Sequence, residues 1–338
     1  MKLFGKNLDE TVAVVAEIGL NHEGDAVAAE RLITLAAQAG ADAVKLQTFT
    51  PERYASASDP NRLARVTRFN LSQEAHLHLA THATTLGIPL FSTALTEDVV
   101  GFLDQWCPAI KIASGDLTFE PVIRAAMSTR KPVILSTGNG TVEEIDQALQ
   151  WCTDELGSDA LKDRLVLMHC VAAYPVPIEQ ANVSSVHFLK QRYGLTTGYS
   201  NHVIGSEAVL AAVAIGAQLV EVHFTDRREG REFRDHALSF EPQDLKQLVH
   251  SIGRVRASLG RVGKELQACE LPLREVIRKG VVAARDLPAD TVLSADDLMW
   301  ARPATGVKAA ELPALIGKHL VQSLRRGEQI TWNKVCER

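Results

Sequence analysis

Two lysines stand inside apolar runs, where an unpaired cation is costly. They are Lys45 in Ala43-Val44-Lys45-Leu46-Gln47 and Lys111 in Ala109-Ile110-Lys111-Ile112-Ala113-Ser114-Gly115. Lysine is seldom buried without an anion, and its compact ammonium with three donors suits a phosphate or a carboxylate. One such lysine alone reads as a surface group whose stem lies along apolar neighbours. Two, each followed by hydroxyl or amide groups, favour a bound anion. Ser114-Gly115, Ser136-Thr137-Gly138 and Ser200 add hydroxyl and backbone donors. Glu17 closes another apolar run, in Ala16-Glu17-Ile18-Gly19-Leu20-Asn21-His22-Glu23-Gly24. A carboxylate there is expensive unless it is paired or functional; a helix cap or an ion pair is the competing reading.

Two histidines are metal candidates: His202 in Gly198-Tyr199-Ser200-Asn201-His202, and His223 in Glu221-Val222-His223-Phe224-Thr225-Asp226. A pair of neutral imidazoles completed by oxygen ligands suits a borderline divalent ion such as manganese, iron, cobalt or zinc. Asp235 and His236, in Phe233-Arg234-Asp235-His236-Ala237-Leu238-Ser239, could supply a carboxylate to the metal or to a substrate hydroxyl. Most histidines are satisfied structural groups, and His76, His78, His82, His187 and His250 are read that way. His169 is expected to be structural or to support the site from behind.

These residues share a position with respect to the elements that must carry them. Apolar runs at 12–18, 43–47, 88–92, 109–113, 133–136, 165–168, 195–199 and 218–223 read as strands, and amphipathic segments such as 26–39, 73–86, 143–156 and 207–215 read as helices between them. Thr141 and Glu144 form a capping-box pattern, and Gly40, Gly87 and Gly216 sit where helices should stop. Eight strand–helix repeats in roughly 260 residues match a (β/α)8 TIM barrel. A doubly wound open sheet is the alternative, but no GxGxxG follows the first strand. Each strand ends at or near a polar residue: Glu17, Lys45 with Gln47, Thr93, Lys111, Ser136, His169, Ser200 with His202, and His223. In a barrel those ends converge on the face where active sites lie.

Beyond Gly260 the pattern changes to strand-like and turn-like pieces. Leu287-x5-Leu293-Ser294-x3-Leu298 is echoed by Leu324-x5-Ile330-Thr331-x3-Val335, which predicts a small β-rich domain of two related hairpin units. The expected division is 1–262 for the barrel, 263–279 for a linker and 280–338 for the small domain.

With 338 residues, 46% apolar and 23% charged, the chain has ordinary globular composition. A net charge of −5 speaks against nucleic acid as a partner. No apolar stretch approaches the ~18 residues of a membrane span. The five cysteines stand in no metal-finger spacing, and the opening MKLFGKNLDE has no apolar segment, so a reducing, cytoplasmic setting is expected.

The ordered set of motifs resembles the sialic acid synthase family. It runs through the Glu17 segment, Val44-Lys45-Leu46-Gln47, Phe91-Ser92-Thr93, Lys111 to Gly115, and Ile134-Leu135-Ser136-Thr137-Gly138. It continues through His169-Cys170 with Tyr174-Pro175, Tyr199 to His202, and His223 to Asp226. The tail, with Trp300-Ala301-Arg302-Pro303-Ala304-Thr305-Gly306, is similar to that family's C-terminal antifreeze-like domain. The resemblance implies condensation of phosphoenolpyruvate with an N-acylated amino-sugar aldehyde, releasing phosphate. It assigns phosphoenolpyruvate to Lys45, Thr93, Lys111, Ser114, Ser136 and Ser200, and proton transfer to Glu17. His202 and His223 would hold a divalent ion, Mn2+ by preference, with Mg2+ or Co2+ as substitutes. Gln47, Asp116, Tyr174 and Asp235 would face the sugar. Arg302 would arrive from the partner in a domain-swapped homodimer.

Three positions depart from the pattern of bacterial neuraminate synthases: Asp116 replaces a Glu, Ala172 an Asn that contacts the sugar, and Asn201 an Asp. The loop expected at 56–67 gives no firm match to the family's sugar-binding segment. Other readings of the residues are a 3-deoxy-sugar-acid synthase, which lacks such a tail, a metal-dependent barrel epimerase or aldolase, and a non-catalytic sugar-binding homologue.

Overall fold

A computed structural model describes residues 1–337, and within it the chain divides into two compact units, residues 1–260 and residues 261 onward. A two-residue hairpin, β1 (Lys2–Leu3) and β2 (Lys6–Asn7), opens the first unit; the sequence reading did not anticipate it. It buries Leu3 and Leu8 among Ala13, Ala43 and Phe91, so an apolar pair covers the starts of the strands that follow.

Those strands are β3 (Ala13–Gly19), β4 (Ala43–Thr48), β5 (Leu90–Ala94), β6 (Ile110–Ile112), β7 (Val133–Ser136), β8 (Leu165–His169), β9 (Thr196–Asn201) and β10 (Leu219–His223). All pair in parallel and β10 returns to β3, closing the barrel. The open-sheet alternative is therefore excluded. Near-continuous Val, Ile, Leu and Ala in most of the strands follow from burial on both faces; β9 (Thr196-Thr197-Gly198-Tyr199-Ser200-Asn201) is polar throughout, and in the others the polar residues lie from the middle of the strand onward.

The helices start where local chemistry directs. Asp25 accepts from Val27 and Ala28 amides to begin helix Ala26–Gln38, and Ser72 accepts from Ala75 to begin Gln73–Thr85. The Thr141–Glu144 capping box is formed at the head of Val142–Leu156. Each such cap is worth about 1 kcal/mol. Segment 56–67, expected to be a loop, instead carries helix Pro60–Phe69, because Asp59 caps the Arg62 amide and Pro60 suits the first turn. This helix buries Val66 and Phe69 against Leu20, Phe49 and Ala55, a small separate core.

In the second unit, β11 (Gly280–Ala283) pairs with β12 (Leu298–Ala301) and β13 (His319–Leu320) with β14 (Val335–Cys336), both antiparallel. The repeat seen in sequence is physical. Leu287 and Leu324, equivalent in the two copies, exchange backbone hydrogen bonds of 2.8 Å in both directions. Ser294 and Thr331 each precede a single 3-10 turn that feeds the second strand of its pair. Leu287, Leu293, Leu298, Leu320, Leu324 and Ile330 form the core of this unit.

The loop after β3 is held against helix Pro60–Phe69 by close backbone approach. Gly24 has φ +89°, and a Cβ there would lie 2.2 Å from the Arg68 carbonyl oxygen. Neither the dihedral nor the space suits another residue. Gly24→Ala is expected to destabilise the barrel unit by about 2 kcal/mol or more, measured as a lower urea midpoint. An unchanged midpoint would mean that this contact is loose in solution.

Candidate active site

The C-terminal ends of the barrel strands surround a cavity of about 1130 Å³. Of the residues expected at the site from sequence, Glu17, Lys45, Gln47, Thr93, Lys111, Ser114, Asp116, Ser136, Tyr174, Ser200, His202, His223 and Asp235 line it, whereas His236 and Arg302 do not. Arg302 lies in the second unit, where its Nε donates to the Ile277 carbonyl at 2.5 Å.

At the base of the cavity four charged groups meet. Lys45 Nζ is 2.8 Å from Glu17 Oε2 and donates to Thr93 Oγ1 at 2.6 Å. Lys111 Nζ donates to both oxygens of Glu221, each at 3.1 Å, and Lys45 lies 3.7 Å from the same carboxylate. Ser200 Oγ donates to Glu221 Oε1 at 3.0 Å, and Gln47 Nε2 to Glu17 Oε1 at 2.8 Å. The relative exposures of Glu17, Lys45, Lys111 and Glu221 are 2, 3, 3 and 5%, so all four must be paired. Burial pulls Lys111 below its ordinary value, opposed by Glu221. Burial alone would raise Glu221, but Lys111 and Lys45 outweigh it and hold its carboxyl at about 2.

Glu17 reaches this group because β3 ends irregularly. The β3–β4 register shifts between Glu17 and Gly19. A Cβ on Gly19, at φ +54°, would lie 3.0 Å from Glu17 Oε1 and 3.1 Å from Gln47 Nε2. The bulge thus leaves room for the Glu17–Gln47 bond.

The two metal candidates stand beside one another, His202 just past the end of β9 and His223 at the end of β10, ring centroids 5.3 Å apart, with the Tyr174 ring 4.2 Å from His202 and 5.9 Å from His223. His202 Nδ1 lies 2.7 Å from the Val171 carbonyl. A carbonyl can only accept, so the proton is on Nδ1 and Nε2 keeps its lone pair. Burial, then the neighbouring His223, lowers His202 to about 4, which keeps it neutral. His223 Nδ1 is buried without a hydrogen-bond partner. These observations fit a divalent ion, and His202 and His223 are the residues that would hold it. Among the described residues no group of three or more His, Cys, Asp or Glu gathers as a ligand set, so water or substrate oxygens would complete the shell.

Other expected residues form the walls. Ser136 Oγ is buried with no partner, a hydroxyl free for a ligand. Ser114 Oγ accepts from the Gly138 amide at 3.0 Å and lies 2.9 Å from Cys170 Sγ. Arg234 donates to Asp235 at 3.0 Å and stacks 4.6 Å from the Tyr174 ring centroid. Burial pushes the Asp116 carboxyl up to about 6.

His236 is not part of the cavity lining. It is buried behind Asp235, its ring nitrogens directed to Thr225 Oγ1 at 2.7 Å and Glu23 at 3.3 Å. His169 faces the Ala181 carbonyl at 2.9 Å and is structural, as is His76 with Thr48. Of the departures, Ala172 and Asp116 line the cavity. Asn201 does not: its side chain receives the Tyr199 hydroxyl and donates to the Val203 carbonyl.

Glu221 was missed as a site residue. Its signal was available, because strand residues two apart share a face and Glu221 is two before His223. Three arginines of helix Pro60–Phe69, namely Arg62, Arg65 and Arg68, also line the cavity unforeseen.

Residues 32–264 match the NeuB family model, and residues 278–335 match the SAF domain. The chain belongs to the NeuB family. It is 32% identical to the N,N'-diacetyllegionaminic acid synthase of Legionella pneumophila, over 96% of this chain and 95% of that protein. It is 30% identical to the N-acetylneuraminate-9-phosphate synthase of Drosophila melanogaster, over 98% and 97%. A crystal structure of the N-acetylneuraminic acid synthetase of Leptospira borgpetersenii serovar Hardjo-bovis, in complex with citrate, superposes with a TM-score of 0.73 at 32% identity, covering 78% of this chain and 90% of that one. The SAF domain falls within the β-rich second unit.

Two measurements check the charge assignments. Glu221→Gln leaves Lys111 buried without its carboxylate and is expected to cost about 3 kcal/mol, seen as a lower melting temperature; an unshifted melting curve would argue against a tight pair. For Asp116 the folded value of about 6 exceeds the ordinary 3.8, so the folded state binds the extra proton between them. Its contribution to stability therefore falls as pH rises from about 4 to about 6 and stays low above. Asp116→Asn should be more stable than the parent at pH 7, with the advantage shrinking toward pH 4. A pH-independent difference would place Asp116 in water.

Proposed function

We infer that this chain is a nonulosonate synthase, which joins phosphoenolpyruvate to the open-chain aldehyde of an N-acylated amino sugar and releases phosphate. The observation that carries the reading is the Glu17–Lys45–Lys111–Glu221 cluster in one cavity with the His202–His223 pair. Full-length similarity to enzymes named as sugar-acid synthases supports it.

Lys45 and Lys111 would receive the anionic oxygens of phosphoenolpyruvate, with Thr93, Ser114, Ser136 and Ser200 supplying hydroxyl donors. Such fixed donors stabilise developing charge without reorganising during the reaction. The enol methylene carbon forms a bond to the aldehyde carbon, leaving a cationic centre at the carbon that bears the phosphate ester. Water adds to that centre, and the tetrahedral intermediate expels phosphate with cleavage of its C–O bond. Glu17 would accept a proton from the water and return one to the new alkoxide, as a general acid–base group. Gln47, Asp116, Tyr174 and Asp235 would orient the sugar.

The lysines are already matched in charge by Glu17 and Glu221, so a polyanionic substrate needs further positive charge nearby. A divalent ion on His202 and His223, manganese by preference, would supply that charge and Lewis-acid polarisation of the aldehyde. A cytoplasmic, domain-swapped homodimer, with Arg302 of a second copy meeting the sugar, belongs to the same proposal. Among the described residues no helix is long and apolar enough to cross a membrane.

The test is phosphate release from phosphoenolpyruvate across a panel of N-acylated amino sugars, with and without Mn2+. Release should require both the sugar and the ion. His202→Ala should lower turnover at least about 100-fold while the variant remains folded. A fully active His202→Ala enzyme would remove the metal assignment, and failure to bind phosphoenolpyruvate would favour an epimerase or aldolase instead.

A further inference from the structure

Arg62, Arg65 and Arg68 line the cavity at intervals of three along helix Pro60–Phe69 and have no part in the chemistry above. The other cations of the cavity are matched: Lys45 and Lys111 by Glu17 and Glu221, Arg53 by Glu97 and Asp98, and Arg234 by Asp235. None of the three helix arginines forms an ion pair among the described residues. They are nonetheless held. The helix rests on its own small core through Val66 and Phe69, and Gly24 fits under the Arg68 carbonyl. The Arg62 guanidinium lies 5.2 Å from the Tyr54 ring centroid, and that of Arg68 lies 4.8 Å from the Phe69 ring centroid. A guanidinium stacked in this way keeps its in-plane donors for an external acceptor.

A neutral sugar needs single donors for its hydroxyls and no net charge. Three guanidiniums in a row without ion-pair partners instead suit a dianion, for which arginine offers paired, planar donors, although the Glu232 and Asp116 carboxylates share the cavity lining. With phosphoenolpyruvate proposed for the strand lysines together with a divalent ion on His202 and His223, this anion is a second one. It must belong to the co-substrate. We propose that the acceptor is a phosphorylated N-acylated amino sugar, its phosphate monoester held by Arg62, Arg65 and Arg68, so that the product is a phosphorylated nonulosonate. The proposal rests on the synthase reading above and narrows its substrate class. Family membership leaves the matter open: the Drosophila relative is named for a 9-phosphate product and the Legionella relative for an unphosphorylated one.

The experiment compares kcat/KM for N-acetylmannosamine 6-phosphate, N-acetylmannosamine and the matching 6-carboxylate, each with phosphoenolpyruvate and Mn2+. The phosphorylated acceptor should be preferred, and added salt should erode that preference. Arg62→Ala, Arg65→Ala and Arg68→Ala should each raise KM for the phosphorylated sugar about tenfold and leave KM for phosphoenolpyruvate in place. A neutral sugar used as well as its phosphate, a carboxylate preferred to both, or arginine variants that raise only the KM for phosphoenolpyruvate would overturn the proposal while leaving a synthase. Phosphate release with none of the acceptors would overturn the synthase reading and this inference together.

Discussion

Two ammonium groups and two carboxylates are packed at the base of one barrel, and the site depends on their mutual neutralisation. Removing a single carboxylate- or ammonium-sized ion from water costs several kcal/mol even after relaxation. Lys45 and Lys111 can therefore occupy strand positions only because Glu17 and Glu221 are brought to them across the barrel. Glu17 is delivered by β3, Lys45 by β4, Lys111 by β6 and Glu221 by β10, so only the closed sheet assembles the four. The same alternation that points Glu221 inward also points His223 inward. The charged cluster at the base and the imidazole pair thus both depend on one strand register.

The base and the walls of the cavity have different origins. Strand ends supply the charged cluster, fixed by the hydrogen-bond ladder of the barrel. Loops and short helices supply Asp116, Tyr174, Asp235 and the arginine helix. The latter stands on a separate core of Leu20, Phe49, Ala55, Val66 and Phe69. Loops of this kind can vary without disturbing the barrel that carries them. The Asp116 and Ala172 departures both fall on the walls.

Much of this was legible in the residues. All eight barrel strands were located to within two residues or so, because both-sided burial writes long apolar runs. Lys45, Lys111, His202 and His223 stood out as polar groups closing such runs. Glu221 obeyed the same rule but lay close to His223 and was read as part of its motif. Helix Pro60–Phe69 was missed because only Leu63, Val66 and Phe69 are apolar along its inner face, against Arg62, Arg65 and Arg68. The β1–β2 hairpin was too short to leave a period. Asn201 could be recognised as structural only once Tyr199 and Val203 were seen around its amide. The repeat in the small unit was legible as spacing, whereas the Leu287–Leu324 hydrogen bonds joining its halves were not.

The central claim is that the lysine–carboxylate cluster is the phosphoenolpyruvate site. A crystal structure with phosphoenolpyruvate bound tests it most directly. The account predicts Lys45 and Lys111 Nζ within hydrogen-bond distance of the ligand's phosphate and carboxylate oxygens, with Lys111 turned at least partly from Glu221. Phosphoenolpyruvate bound elsewhere, with all four side chains still locked in their present pairs, would contradict it.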